Sequence, residues 1–234
     1  MINFKTRLNK TTGEIRFRPT LTSWDRTVEL AKSIEKEFEH WRISSKSDVT
    51  LYNIESKSLI KIKFDSILFL NEGEQGATDE LIENVKNIFT KLVEGSDVKE
   101  FRHIGCRKQF VIETDFNYSD LADLTFKKFY SSQEFLKEAS VTDKVMDTLF
   151  VLDGKKNGLR NHVQIGPTLK EQALQSFAPS FEHKELEEKS FLFFDIDVFK
   201  VDDITKENAI KTFTETIKNN IEITESYMKY VIEQ

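Results

Sequence analysis

Apolar and polar residues alternate with two different periods along the chain, and each period predicts one kind of element. Ile15 and Phe17 alternate with charged neighbours, which is typical of a strand with one buried face. We therefore predict an N-terminal hairpin with strands at residues 2–8 and 13–19. Apolar residues then recur every three or four positions, and this spacing predicts a helix to about residue 42.

The rest of the chain repeats this change between strand-like and helix-like patterns. Strands are predicted near residues 48–54, 58–70, 99–114, 145–152, 159–166 and 190–202, and helices near 78–94, after Ser119, after Pro167 and from Thr205 onwards. The last helix carries Ile210, Phe213, Ile217 and Ile221 on one stripe, so we expect it to pack along the sheet.

Composition agrees with long strands and helices joined by simple connections. The 234 residues include only 8 Gly and 3 Pro, fewer than a protein with many tight turns would need. The order of elements predicts an α+β fold with largely antiparallel sheets covered by helices and a long C-terminal helix. We divide it into two αβ layers or subdomains, residues 1–96 and 97–234, which could also form one integrated domain.

Charge and targeting signals narrow the cellular setting. The net charge is −6, whereas general adhesion to nucleic acid usually shows as a basic surplus. The N-terminus lacks the apolar core of a signal peptide, and no run reaches the roughly 20 apolar residues of a membrane-spanning helix. The single cysteine, Cys106, excludes an internal disulfide. We therefore expect a cytoplasmic protein with no membrane partner.

Two carboxylates interrupt an otherwise apolar strand, FLFFDIDVFKV, near the C-terminus. Asp195 and Asp197 are two positions apart and therefore share one face of that strand. Glu113 and Asp115 stand at the end of another predicted strand. One interpretation is that the four acids bind a hard cation such as Mg²⁺ and support phosphoryl transfer.

A structural interpretation of the Asp pair is simpler, because buried carboxylates are normally paired. The strand FRHIGCRKQF carries Arg102 and Arg107, whose odd separation turns them to opposite faces unless Gly105 marks a bulge. We predict that Asp195 or Asp197 forms a salt bridge with one of these arginines.

Basic side chains form the remaining candidate binding surface. Lys61 and Lys63 share the solvent face of one predicted strand, and Arg102, Arg107 and Lys108 lie on another. Together they could form a basic sheet surface for a partner, including RNA or DNA. No aromatic platform stands beside them, so a solvated face is favoured over nucleic-acid binding.

Histidine and cysteine chemistry receives weaker support. None of the 4 histidines has a partner at zinc-protease spacing, although His103 and His162 lie in predicted strands and could meet across a sheet. Arginines beside Cys106 would lower the pKa of its thiol, but a small buried filler is the simpler interpretation. The chain has no P-loop, dinucleotide-binding or nucleophile-elbow motif, so no cofactor is expected.

Three segments of the second half resemble a known family. FRHIGCRKQF (Phe101–Phe110), NHVQIGP (Asn161–Pro167) and LFFDIDVF (Leu192–Phe199), followed by a long helix, resemble an uncharacterised, sporadically distributed bacterial family of about this length. That family has an Arg-x-x-Gly-x-Arg strand, here Arg102–Arg107, and a late Asp-Ile-Asp strand, here Asp195–Asp197. It has no assigned chemistry, and its patchy distribution is typical of mobile-element or defence-type genes.

These observations favour one function and leave two alternatives open. We expect a non-enzymatic binding module that recognises a protein partner, in a mobile-element or defence-type system as the resemblance implies. The first alternative is a metal-dependent phosphodiester or nucleotide enzyme that uses Asp195 and Asp197. The second is a nucleic-acid-binding module that uses the basic strand faces.

Overall fold

A single antiparallel sheet organises the molecule. The computed structural model describes residues 5–73, 79–130, 145–183 and 186–232. The strands are β1 (Lys5–Phe17), β2 (His40–Ser45), β3 (Asp48–Asn53), β4 (Ser58–Lys63), β5 (Ser66–Asn71), β6 (Glu100–Glu113), β7 (Phe150–Lys156), β8 (Leu159–Leu169) and β9 (Ser190–Thr205). Within the described residues these nine strands are ordered β2-β3-β4-β5-β1-β6-β9-β8-β7.

Most of the helices cover one face of this sheet. They are α1 (Leu21–Ile34), α2 (Asp79–Gly95), α3 (Tyr118–Phe129), α4 (Lys170–Phe177) and α5 (Lys206–Ile232). Helices α1, α2, α3 and α5 pack on what we call the helix face, whereas α4 packs on the opposite groove face. The predicted α+β fold is confirmed. None of the described helices has both the length and the apolar character that crossing a membrane requires.

The N-terminal hairpin prediction is wrong, because β1 continues through the expected turn. Thr12 pairs with Leu70 on β5 and with Arg107 on β6, so the strand is central in the sheet. Gly13 has a packing role instead of a turn role. A Cβ atom built on it would lie 2.8 Å from Cζ of Phe213 on α5, so glycine is what allows the helix to approach.

The first helix ends earlier than its apolar stripe suggests. Thr20 caps α1 in a capping box with Ser23, and the helix stops at Ile34. A short 3₁₀ turn follows, and Trp41 then pairs with Leu51 as part of β2 and β3. The prediction of a helix to residue 42 is therefore wrong, because strand pairing with a distant segment outweighs the local helical spacing.

The C-terminal helix packs along the sheet as its stripe predicts. Phe213 is fully buried, and Ile210 and Ile221 pack against the same core. Asn220 lies almost fully buried in the middle of α5, and its Nδ2 donates to the carbonyl oxygens of Cys106 (2.9 Å) and Ile196 (2.8 Å). A polar side chain thus fastens α5 to the main chains of β6 and β9, directly behind the groove face.

The sheet crosses the boundary that we placed near residue 97. Strand β1 pairs with β6 from Lys5 opposite Glu113 to Phe17 opposite Phe101. The strands before and after the boundary therefore share one hydrogen-bonded ladder. The division into residues 1–96 and 97–234 stays a prediction.

Candidate functional site

A groove on the groove face brings charged side chains from three strands together. It measures about 400 Å³, and the C-terminal end of α4 forms one wall. We call it the polar groove, and it is lined by Lys10, Thr12, Glu14, Arg16, Leu68, Leu70, His103, Gly105, Arg107, Gln109, Ser176, Phe177, Ala178 and Asp197. Their alternation along each strand explains why they share a face, since every second residue points the same way.

One row of cross-strand neighbours runs through the centre of the groove and beyond it. Thr12 pairs with Arg107, Arg107 with Asp197, Asp197 with His162, and His162 with Asp153. Neighbouring strands lie about 4.8 Å apart, so successive side chains of this row are within reach of each other. The register of five strands therefore sets an arginine, an aspartate, a histidine and a second aspartate side by side.

Asp195 is the structural member of the Asp pair. Arg107 donates from Nε to Oδ1 (2.7 Å) and from Nη2 to Oδ2 (2.5 Å), and Gln109 donates from Nε2 to Oδ2 (3.3 Å). The Asp195 side chain is only 7% exposed. The predicted salt bridge to arginine is confirmed, and Arg107 forms it. Arg102 is exposed at a bulge in β6, so the register shift lies at Arg102 and not at Gly105.

Asp197, the other member of the Asp pair, has different surroundings. No hydrogen bond or ion pair from the described part of the chain reaches its carboxylate, although the residue is half-buried on the groove floor. Burial raises the pKa of Asp197 to about 6; Arg107 and His162 oppose this rise, whereas the negative charges of Asp195 and Glu14 add to it. The groove thus holds a carboxylate that titrates close to neutral pH.

The other charged side chains that line the groove are compensated. Arg16 Nη2 lies 2.7 Å from Oε2 of Glu14. Lys10 Nζ lies 3.5 Å from Oε1 of Glu72 and donates to the main-chain oxygens of Phe177 and Ala178 (2.9 Å each). Burial lowers the pKa of Lys10. Among the described lining residues, Asp197 is therefore the charge that lacks a counter-charge in direct contact.

A buried acid fastens the segment that follows α4 beside the groove. Glu72, at the end of β5, accepts from the main-chain N–H groups of Ser180 (2.9 Å) and Phe181 (3.1 Å). It also lies 2.9 Å from Nε2 of His183. Together with Lys10, this carboxylate fixes the wall of the groove, since charge-assisted hydrogen bonds are the stronger ones.

The basic residues proposed from the sequence divide between the two faces. Lys61 lies on the groove face but outside the groove, with Nζ 3.2 Å from Oδ2 of Asp48, and Lys63 is the cross-strand neighbour of Asp48. Lys108 lies on the helix face, where burial lowers its pKa. The five basic positions thus do not form one surface, and Arg107 is the member that lines the groove.

The acids of the metal alternative lie apart. Glu113 accepts from Arg7 and from Lys189 Nζ (2.6 Å), and these contacts lower its pKa to about 2. Asp115 is exposed beyond the end of β6. Within the part of the chain that the structure describes, no three His, Cys, Asp or Glu side chains are grouped so as to hold a metal ion.

The two strand histidines flank β9 without meeting. His103 stacks on Phe199 with 5.4 Å between ring centroids, and burial lowers its pKa. His162 lies on the other side of β9, with Nδ1 2.8 Å from Oδ1 of Asp153. Cys106 is buried on the helix face, where burial raises the pKa of its thiol to about 12, so it is the filler and not a reactive thiol.

Sequence reasoning missed the groove residues contributed by β1. It also missed Glu72, whose carboxylate holds the segment that follows α4. Lys10, Glu14 and Arg16 belong to the segment for which the sequence predicts a hairpin. A hairpin would not place all three on one face of a single strand. Glu72 follows directly after a strand and has no local partner in the sequence. Only the strand order identifies these residues as neighbours of Arg107 and Asp197.

No protein-family model matches this chain, and no curated protein matches it significantly. The interpretation of the groove therefore depends on its own geometry and charges.

Proposed function

We propose that this protein is a non-enzymatic binding module that recognises an exposed segment of a protein partner in the polar groove. The observation that carries this proposal is the Asp197 carboxylate, which stands without a counter-charge among groove residues whose charges are otherwise paired. Leaving a half-buried charge unpaired costs stability, and a bound partner can offset that cost.

The dimensions of the groove suit a short segment. Binding sites for compact ligands usually measure about 300–1,000 Å³, and the polar groove lies at the lower end with about 400 Å³. Its floor consists of sheet residues, and Glu72 fixes its wall. A site built on rigid elements needs little reorganisation on binding, which favours affinity.

The paired charges support recognition more than chemistry. Arg107 is held by Asp195, and Arg16 lies against Glu14, so the charge of each guanidinium is already balanced by a carboxylate of the protein. The resemblance of the second half to a sporadically distributed family suggests a role in a mobile-element or defence-type system, and we include that role and the expected cytoplasmic location in the proposal.

Selection from a random peptide library displayed on phage tests the proposal without knowledge of the partner. We expect wild-type protein to enrich related peptides, and Thr12→Trp to lose them, because Thr12 lies half-buried on the groove floor. Thr6→Trp is the matched control, since Thr6 is exposed on the same strand outside the groove. Ser176→Trp fills the groove from the exposed wall, and it changes no residue of the sheet.

The outcomes separate clearly once circular dichroism shows that the variants fold. Loss of binding in Ser176→Trp or Thr12→Trp, with binding retained in Thr6→Trp, supports the proposal. Absence of any enrichment over uncoated wells contradicts it. Peptides that bind wild type and both groove-filling variants equally well also contradict it.

A further inference from the structure

We infer that the polar groove receives a basic side chain, arginine or lysine, from the bound segment, and that the Asp197 carboxylate pairs with it. This inference rests on the proposed function and names the chemistry of its ligand.

The local charges leave one negative charge for a ligand to neutralise. Arg107 and Asp195 form a two-point pair, and that pair cancels its own charge. Arg16 and Glu14 form a second pair. Of the described residues on the floor, Asp197 is the charge that remains, so a cationic group gains an ion pair there in a partly desolvated place, where it is stronger than at an open surface.

An anionic ligand fits this arrangement poorly. Asp195 holds Nε and Nη2 of Arg107, so a phosphate or carboxylate would have to use the remaining N–H groups of that guanidinium. It would then lie against two carboxylates, Asp195 and Asp197, on neighbouring positions of one face. Like charges placed together cost several kcal/mol, so this electrostatic pattern selects against anions.

The surroundings of Asp197 also suit a planar cation. His103 stacks on Phe199, the next residue of β9 on the same face as Asp197, and Gly105 on β6 is the cross-strand neighbour of Phe199. A Cβ atom on Gly105 would lie 2.9 Å from Nε2 of His103 and 3.0 Å from Cβ of Phe199, so glycine is needed for this arrangement. His103 is the ring of this pair that lines the groove together with Asp197, and guanidinium groups stack favourably on aromatic rings.

Short blocked peptides provide the probe. We would titrate isotopically labelled protein with Gly-Gly-Arg-Gly-Gly, and with the same peptide carrying citrulline, which has the shape of arginine without its charge. We expect saturable shifts of the amide signals of Gly105 and Asp197 with the arginine peptide, and about tenfold weaker binding of the citrulline peptide. The variant Asp197→Asn should abolish this difference.

A control variant separates local from general charge effects. Asp25→Asn removes one exposed negative charge from α1, on the other side of the sheet, and should keep the full preference for arginine. Equal affinity for the arginine and citrulline peptides would overturn the inference. So would a preference that survives in Asp197→Asn, or the absence of saturable shifts with the arginine peptide.

Failure of this inference differs from failure of the proposed function. Library peptides that need an open groove but carry no basic residue would overturn the pairing with Asp197 and leave the binding module standing. Library peptides that contain arginine but bind the groove-filling variants equally well would overturn both.

Discussion

Asp197→Asn should stabilise the protein at neutral pH, which is unusual for the removal of a half-buried charge. Burial raises the pKa of Asp197 from 3.8 to about 6, and a rise of that size corresponds to at most about 3 kcal/mol. Because part of the carboxylate faces solvent in the groove, we expect about 1–2 kcal/mol. For a chain of this size, that gain raises the Tm by about 2–8 °C.

The pH dependence gives this prediction a definite sign. The folded state holds the proton of Asp197 more tightly than the unfolded state, so ionisation destabilises the fold as pH rises from about 4 to about 6. The charged or titratable groups that act on the carboxylate are Arg107 on β6, His162 on β8, Asp195 on β9, and Glu14 and Arg16 on β1. The gain in stability of Asp197→Asn over wild type should therefore be complete above pH 6 and disappear towards pH 4.

Thermal unfolding of wild type, Asp197→Asn and Asp195→Asn between pH 4 and pH 8 provides the assay. Asp195→Asn is the matched control, because it removes the same charge from a residue two positions earlier on the strand. Unlike Asp197, Asp195 makes a two-point contact with Arg107. It should destabilise the fold by about 1.5–3 kcal/mol. If Asp197→Asn lowers the Tm at pH 7 as Asp195→Asn does, the reasoning about an unpaired carboxylate is refuted.

Three further predictions concern the residues that support the groove. Asn220→Leu should lower stability by about 1–3 kcal/mol in denaturant unfolding, because the carbonyls of Cys106 and Ile196 lose a donor; an unchanged midpoint would contradict this. Glu72→Gln should speed hydrogen exchange at the Ser180 amide without changing exchange in β6, whereas equal protection would show that the carboxylate is not a clamp. Cys106 should react with a thiol reagent only at the rate of unfolding, since it is buried and its pKa is raised to about 12; rapid modification of the folded protein would refute its burial.

Local patterns predict the elements of this fold well, because most strands and helices bury one face. The strand over residues 99–114 and the stripe of α5 follow directly from such spacing. The turn predicted near Gly13 failed for a physical reason. Glycine serves turns and close helix contacts equally well, and only the position of Phe213 distinguishes the two uses.

The candidate site could be predicted only in part. A salt bridge between the Asp pair and one of the two arginines follows from opposite charges on two strands that are each apolar elsewhere, whereas the structure is needed to show that Asp195 and Arg107 form it. The different role of Asp197 depends on which strand lies on each side of β9, and the sequence does not contain that order. The same holds for Glu72, whose partners lie more than 100 residues away along the chain.

The central claim is that Asp197 is a free acceptor on the floor of the polar groove. A pH titration followed by carbon-13 NMR of the Asp197 carboxyl group measures this directly. The signal is assigned by its absence from the spectrum of Asp197→Asn. We predict a titration midpoint near pH 6 that falls when the arginine peptide is added. A midpoint at or below the ordinary value of 3.8, or one that the peptide leaves unchanged, would contradict the account.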